Sequence, residues 1–159
     1  MHPDRFRQLC LDVLPQAPDI TTAEPWADDD APPCGIVITT TSGSRLWVTI
    51  TSVLAPGARI DDADVPVPGE PLTAVPVPAL YEDGKITPRA AEAYLAATLT
   101  NSAHPEIQRA YGYTDDAPTR HPGVGIEFHS GAKVYLPFAH TARAGQNRGR
   151  ERYRLQNDF

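Results

Sequence analysis

The fold is decided by residues 35–50, which read GIVITTTSGSRLWVTI. β-branched and aliphatic residues alternate with other side chains on both sides of a central Ser-Gly-Ser, a pattern that predicts a β-hairpin. A loop with an odd number of residues keeps the apolar, even-numbered side chains together on one face. We expect the loop Ser42-Gly43-Ser44, which sets Ile38 opposite Val48. The shared face is then formed by Ile36, Ile38, Leu46, Val48 and Ile50.

A second copy of this pattern lies at residues 123–138, GVGIEFHSGAKVYLPF. TSGSRLWV at 41–48 and HSGAKVYL at 129–136 share a Ser-Gly turn, a cation, an aromatic and two aliphatic positions. The same odd loop, here 130–132, again places the even-numbered apolar residues on one face. It pairs Glu127 with Tyr135 and His129 with Lys133 on the other face. Hairpins at about 35–53 and 123–138 therefore predict an antiparallel sheet.

Helices are predicted on either side of the first hairpin. Residues 3–14 place apolar side chains on one helical face, and Pro3 suits a first turn. Thr87 and Pro88 mark the start of a helix that reaches Asn101. A second short helix is expected from Pro105 to about Tyr111, which gives a central helix pair. The order of elements predicts an α+β fold with helices on an antiparallel sheet.

The segments between these elements are predicted as loops. Residues 16–33 lack periodicity and carry an acidic run, and residues 55–78 hold six prolines, including Val-Pro-Val-Pro at 65–68 and 75–78. Alternating proline cannot donate a continuous hydrogen-bond ladder, so an extended, polyproline-like loop is expected. A further edge strand at 74–81 is one alternative. The 159 residues are then one α+β domain at 1–141 with this acidic, Pro-rich loop, followed by an Arg-rich tail at 142–159.

Charge and composition restrict the classes of function. The net charge is −6, with a net −8 over residues 16–86 and a net +3 over residues 142–159. The overall sign disfavours a protein that binds nucleic acid over its whole surface, while the tail stays a candidate contact. Neither a membrane-spanning run nor a signal peptide is evident, and two cysteines do not form a disulfide framework. These features predict a soluble, cytoplasmic protein with reduced thiols and no membrane partner.

The tail is the sharpest local signal. Its arginines alternate with other residues at Arg148, Arg150, Arg152 and Arg154, and Tyr153 lies among them. In an extended chain the four guanidinium groups would share one face, suited to phosphate or carboxylate groups, with the tyrosine available for stacking. Two alternatives stand beside a nucleic-acid contact: a frayed polar terminus, and a tail that docks on the acidic loops of its own chain.

The outer faces of the two hairpins each carry a cation and an aromatic residue. Arg45 and Trp47 occupy the first hairpin, and Lys133 and Tyr135 the second. Such pairs are typical of interfaces and stacking platforms. We expect Trp47 to be covered by another part of the chain, because Val37 lies beside it on the same face. The tentative binding residues are these four together with Arg148, Arg150, Arg152, Tyr153 and Arg154.

An enzymatic interpretation depends on Glu127, His129, Lys133 and Tyr135, whose side chains could perform acid–base chemistry if they lined a cleft. We favour instead a solvated strand face with polar cross-strand pairs, because nothing in the sequence marks a cleft, and we assign no catalytic residue. Gly123-Val124-Gly125 lacks the third glycine of a dinucleotide site. Histidine and cysteine spacings match no metal-site pattern. We therefore predict neither a metal nor a cofactor.

The sequence thus favours a small, non-catalytic binding module for a macromolecular partner. Nucleic acid, or another anionic partner engaged by the Arg-rich tail, is the most concrete hypothesis, and a protein partner is compatible with the acidic middle of the chain. The alternatives are a small enzyme built on the second hairpin and a homo-oligomeric, chaperone-like interaction domain. These analogies of fold do not define a function.

Overall fold

The computed structural model describes residues 1–117, 119 and 121–159 and has an α+β architecture. The described residues form three α-helices and seven strands of an antiparallel, curled sheet. The helices are α1 (Pro3–Val13), α2 (Pro88–Asn101) and α3 (Tyr113–Asp116). The strands are β1 (Ile20–Pro25), β2 (Gly35–Thr40), β3 (Arg45–Thr49), β4 (Thr51–Val53), β5 (Ile107–Gly112), β6 (Gly123–Phe128) and β7 (Lys133–Ala142).

The two predicted hairpins are present and meet in the middle of the sheet. The strand order is β1-β2-β3-β7-β6-β5, and β4 pairs with the first part of β7. β7 is therefore the strand that joins the hairpins: its end pairs with β3, and its beginning pairs with β4 and β6. The paired strands fix the distance between the outer-face residues of the two hairpins.

The predicted faces of the hairpins are confirmed, but the predicted pairing was shifted. All the even-numbered apolar residues of both hairpins are buried in one core. Ile38 faces Leu46, however, where Val48 had been expected, and Glu127 faces Lys133 where Tyr135 had been expected. The cause is the position of the glycine. Gly43 and Gly131, both at φ +84°, are the last residues of three-residue loops, where a left-handed conformation is needed.

The helices cover the apolar face of the sheet. Thr87 accepts a hydrogen bond from the Ala90 amide at 3.1 Å, so it caps α2 as predicted, and Pro88 is the first helical residue. Phe6 of α1 contacts Phe128 of β6 edge to face, with ring centroids 5.9 Å apart. The other buried core residues of α1 and α2 are Cys10, Ala91, Tyr94, Leu95, Ala96 and Leu99. Both cysteines are unpaired and buried.

Two segments have a secondary structure other than the predicted one. The expected second helix at 105–111 is wrong: residues 107–112 form β5, paired with β6, so there is no central helix pair. Six residues are too few for periodicity to separate a helix from a strand, and pairing with β6 decides the outcome. The acidic loop at 16–33 contains β1, which pairs with β2 from Ile20↔Thr40 to Pro25↔Ile36, with a register shift between Ile20 and Thr22.

The Pro-rich segment forms no strand, so the alternative of an edge strand at 74–81 is wrong. Pro76 and Pro78 have no N–H to donate to a ladder. The Asn101 side chain takes the place of a neighbouring strand: it accepts from the Val75 amide at 2.7 Å and donates to the Val75 carbonyl at 2.8 Å. Across the described residues no helix is long and apolar enough to cross a bilayer.

Candidate binding site in the tail cleft

The site begins at the junction of β3 and β7, on the outer face of the sheet. Trp47 pairs with His140, and the register shifts between Trp47 and Val48. Such a bulge reorients the following side chains. Phe138 therefore remains in the main core, whereas His140 joins Trp47 on the other side. Their rings meet at nearly a right angle with centroids 6.4 Å apart.

Trp26, which follows β1, completes this aromatic group. Its ring lies edge to face with His140 at a centroid distance of 5.6 Å, and its indole N–H donates to Asp28 at 3.0 Å. Trp26 and Trp47 are both about 95% buried in a small second core with Ala139 and Ala142. The prediction that Trp47 is covered is therefore confirmed. The covering elements are the β1–β2 loop and the tail.

The tail docks on its own acidic loop, which was one of the three interpretations of the sequence. Arg148 donates through Nε to Asp28 at 3.1 Å and pairs with Asp30 through Nη2. Arg152 donates to the backbone carbonyl of Asp30. The guanidinium carbons of Arg148 and Arg152 lie 5.5 and 5.1 Å from the Trp26 ring centroid. Two arginines thus stack on one indole while carboxylates balance their charge.

Charge and burial determine the protonation states in this group. The hydrogen bond from Arg148 lowers the pKa of Asp30, and the same pairing raises the pKa of Arg148. Burial, followed by the nearby Arg148 charge, lowers the pKa of His140, so its ring is neutral at pH 7. The ring is 1% exposed, and its Nε2 lies 3.3 Å from Nη1 of Arg148.

An open cleft of about 600 Å³ lies between the tail and the outer face of β3. The Arg45 guanidinium lies 4.9 Å from the Trp47 ring centroid and donates to the Gln146 carbonyl at 2.8 Å. Arg150 is exposed and forms no ion pair with a described residue. The cleft is lined by Asp28, Asp30, Arg45, Trp47, Asn147, Arg148, Gly149 and Arg150.

The four alternating arginines do not share one face. Tyr153 has φ +65°, so the tail turns where an extended chain had been expected. Its amide donates to the Ala139 carbonyl at 2.7 Å, and its ring meets His121 with centroids 6.2 Å apart. Arg154 points elsewhere and pairs with Glu151 at 3.0 Å. Of the tail residues proposed from the sequence, only Arg148 and Arg150 line the cleft.

The second hairpin's cation and aromatic residue lie away from this cleft. Arg45 pairs with Ala142 at the end of β7, whereas Lys133 begins β7. At about 3.3 Å per residue the two positions are roughly 30 Å apart along the strand. Lys133 forms an ion pair with Glu127 at 3.1 Å, and this hydrogen bond raises the pKa of Lys133. The two outer-face pairs are therefore separate surfaces.

The proposed acid–base cluster is not assembled. Glu127 and Lys133 bind each other, while the His129 ring lies 3.3 Å from the Glu70 carbonyl oxygen. Tyr135 lines a cleft with Tyr111 and Tyr113, whereas His129 lines a different cavity beside the Pro-rich segment. Within the described ranges, no three His, Cys, Asp or Glu side chains gather in a way that could hold a metal ion.

Two aromatic residues of this site, Trp26 and His140, were not predicted from the sequence. A lone tryptophan just before Asp28-Asp29-Asp30 was a usable signal, because a large apolar group within an acidic loop has to be covered. His140 had no such signal, since the bulge that turns it outward is not encoded by alternation.

Comparisons with protein-family models, with curated proteins and with solved structures gave no match for this chain.

Proposed function

We propose that this protein is a non-catalytic binding module whose tail cleft receives an anionic group of a protein partner. The observation that carries the proposal is the convergence of three guanidinium groups, from Arg45, Arg148 and Arg150, on one open cleft beside Trp47. Arginine presents a planar fork of donors that matches a carboxylate or a phosphate.

The division of charge within the cleft supports an anion. Asp28 and Asp30 bind Arg148, whereas Arg150 has no carboxylate partner in the described part of the chain. Arg45 is held over Trp47 by a backbone carbonyl, which leaves its charge unneutralised. Three arginines against two aspartates leave the cleft with one excess positive charge.

Two features favour a protein partner over nucleic acid. The whole chain carries a net charge of −6, which opposes the approach of a long polyanion. Arg148 and Arg152 are engaged by the acidic loop, so the tail presents fewer cations than its sequence suggests. A compact acidic segment of a protein needs only one or two arginine contacts.

The experiment is a fluorescence-anisotropy titration with two labelled probes, octaglutamate and a single-stranded DNA octamer. Arg150→Glu should weaken octaglutamate binding at least ~10-fold, because a charge-assisted contact is replaced by repulsion. The matched control is Arg154→Glu, which makes the same charge change outside the cleft and should alter binding less than ~2-fold.

The possible results separate the partner classes. Tighter binding of octaglutamate than of DNA, with loss in Arg150→Glu alone, supports the proposal. Tighter binding of the DNA octamer replaces the protein partner with nucleic acid. Equal weakening by the two variants, or no binding of either probe at millimolar protein, overturns the cleft as an anion site.

A further inference from the structure

A second cleft, of about 430 Å³, lies on the outer face of the sheet around three half-buried tyrosines. Tyr111 on β5, Tyr113 at the start of α3 and Tyr135 on β7 line it, together with Asp116. Tyr113 and Tyr135 meet edge to face with centroids 6.2 Å apart. This volume is within the range of small ligand sites, about 300–1,000 Å³.

Two strand glycines make room for these rings. Tyr111 pairs with Gly125, and a Cβ at Gly125 would lie 2.3 Å from Cζ of Tyr111. A Cβ at Gly123 would likewise lie 2.5 Å from Cε2 of Tyr113. Glycine weakens a strand interior, so its use here indicates that close approach of the rings is required. The Gly-Val-Gly stretch thus serves as the floor of an aromatic cleft.

The same chain displays an apolar segment without a cover. Residues 63–79, here named the strap, form neither helix nor strand. Of the seven large hydrophobic residues that are exposed in the described part of the chain, four belong to the two Val-Pro-Val-Pro motifs. They are Val65, Val67, Val75 and Val77, with exposed fractions of 67, 41, 42 and 43%.

The strap is held in place from both sides. Asp64 accepts hydrogen bonds from Nε of Arg5 at 2.9 Å and from the His2 amide at 2.7 Å. The Gly69 amide donates to the Pro105 carbonyl at 2.8 Å, and Asn101 binds both backbone groups of Val75. In each motif the residues alternate, so that every valine precedes a proline. Both the prolines and the residues before them favour the polyproline II region. Little conformational entropy is therefore lost when such a segment binds.

We propose that the strap of one copy of this protein docks in the tyrosine cleft of a second copy. Proline-rich segments in the polyproline II conformation are recognised by aromatic-lined grooves, where the rings pack against proline and the polar groups bind backbone carbonyls. The hydroxyls of Tyr111 and Tyr135 form no hydrogen bond with a described residue. They are thus available as donors to carbonyls of the strap.

This docking joins two different surfaces, and each copy offers one strap and one cleft. Two copies can exchange straps in a closed two-fold dimer, and several copies can assemble head to tail as a ring or an open chain. The tail cleft contributes nothing to this contact, and the proposal is independent of the proposed anion site. Arg150→Glu should therefore leave the association unchanged.

The first experiment is sedimentation velocity over a wide range of protein concentration. Wild type should sediment faster as concentration rises, and a variant with serine at Val65, Val67, Val75 and Val77 should remain monomeric. Ile60→Ser is the matched control, because Ile60 is 81% exposed in the same loop but outside the motifs. Tyr111→Phe with Tyr135→Phe keeps the packing, removes the donors and should raise the concentration for half-association at least ~5-fold.

Mixing two variants shows whether the strap of one copy occupies the cleft of another. The four-serine variant retains its cleft, and a second variant with Tyr135→Ala retains its strap. A mixture should contain heterodimers although neither variant associates alone. The proposal is overturned if Ile60→Ser weakens association as much as the four serine substitutions do. It is also overturned if both cleft variants associate as wild type does.

A peptide probe tests the occupant directly. The peptide TAVPVPAL, residues 73–80, should shift the ring resonances of Tyr111, Tyr113 and Tyr135 in wild type with labelled tyrosine. TAVAVAAL, in which alanine replaces both prolines, should bind at least ~5-fold more weakly. If the cleft binds the peptide but the protein stays monomeric, a second copy is not the occupant. If the peptide shifts none of the three tyrosine resonances, the cleft is not a binding site for the strap.

Discussion

The imidazole of His140 and the guanidinium of Arg148 meet with Nε2 and Nη1 3.3 Å apart. Arginine is always protonated and only donates, so Nε2 of the ring is the acceptor. The proton of the neutral ring then lies on Nδ1, which is buried and has no hydrogen-bond partner among the described residues. This contact connects the docked tail to the sheet, and it requires a neutral histidine.

Docking of the tail should depend on Asp30. Asp30→Asn removes the charge that pairs with Arg148, and trypsin should then cleave the Arg-rich tail faster than in wild type. The denaturant midpoint of unfolding should change little, because exposed ion pairs contribute little to stability.

The matched control for Asp30→Asn is Asp29→Asn, an exposed neighbour that forms no ion pair with a described residue. It should leave the cleavage rate of the tail unchanged. Equal cleavage of wild type and Asp30→Asn would show that the Asp30 charge does not hold the tail.

Stability should depend on pH through His140. Its pKa is lowered in the folded state by burial and by Arg148, so between the folded and unfolded pKa values the unfolded chain binds more protons. Stability is therefore complete above pH ~6.5 and falls as the pH drops below that value, with a slope of at most ~1.4 kcal/mol per pH unit. Urea titrations between pH 7.5 and 5 measure this change in the free energy of unfolding.

Substitution separates this contribution from the rest of the protein. His140→Gln removes the titrating group and should flatten the dependence between pH 7 and 5, although the variant itself is less stable. His129→Gln, at a histidine away from the tail, should keep the wild-type slope. A wild-type slope in His140→Gln would mean that another group controls this pH range.

Asp30 acts in a lower pH range. Its pKa is lowered by the hydrogen bond from Arg148, so its contribution is present above the unfolded value near ~3.9 and is lost as the pH falls through the folded value. The Asp30 contact of the tail should therefore be lost at a lower pH than its contact with His140. Intrinsic tryptophan fluorescence measures this loss, because two tail arginines stack on Trp26.

Alternation in the sequence was sufficient for the faces of both hairpins, because a strand permits only two directions for a side chain. It did not give the pairing, which depends on where each loop requires a left-handed residue. It also failed at 107–112, since a short segment takes its structure from the neighbouring strand. The two errors differ in origin: the pairing error is local to each loop, whereas the error at 107–112 concerns pairing with another segment of the chain.

The candidate site was predictable only in part. Opposite charges of the tail and the acidic loop indicated that docking was one outcome, and the structure places Arg148 between Asp28 and Asp30. The place of His140 in the aromatic group beside the tail was not predictable, because the bulge at Trp47 turns His140 to the outer face. Alternation had placed Arg150 and Arg154 together, and a turn at Tyr153 separates them.

The left-handed glycines of the hairpin loops should be required for the observed strand pairing, and substitution tests this. Gly131→Ala should lower the free energy of unfolding by about 1–2 kcal/mol, because φ is +84° and the new Cβ would lie 3.1 Å from Cδ of Pro56. Gly149→Ala, where a Cβ meets nothing within 4 Å and φ is not left-handed, is the control and should change stability little. Denaturant unfolding compares them, and equal stability of the two variants would contradict the assignment.

The buried carboxylate of Glu92 should stabilise the junction of α2, α3 and β6. Glu92 is 1% exposed, and Oε1 accepts from the Gly123 amide at 2.7 Å while Oε2 accepts from the amide and hydroxyl of Thr114. Glu92→Leu leaves the buried Gly123 amide without an acceptor and should cost about 1–3 kcal/mol, with a smaller loss from the part-buried Thr114 donors.

The amide variant distinguishes hydrogen bonding from charge at this position. Glu92→Gln keeps the size of the side chain and one accepting oxygen, so it should lose less stability than Glu92→Leu in the same denaturant titration. Amide hydrogen exchange at Gly123 gives a local measurement, and it should accelerate in both variants, most in Glu92→Leu. Wild-type exchange at Gly123 in Glu92→Leu would show that the carboxylate does not hold the start of β6.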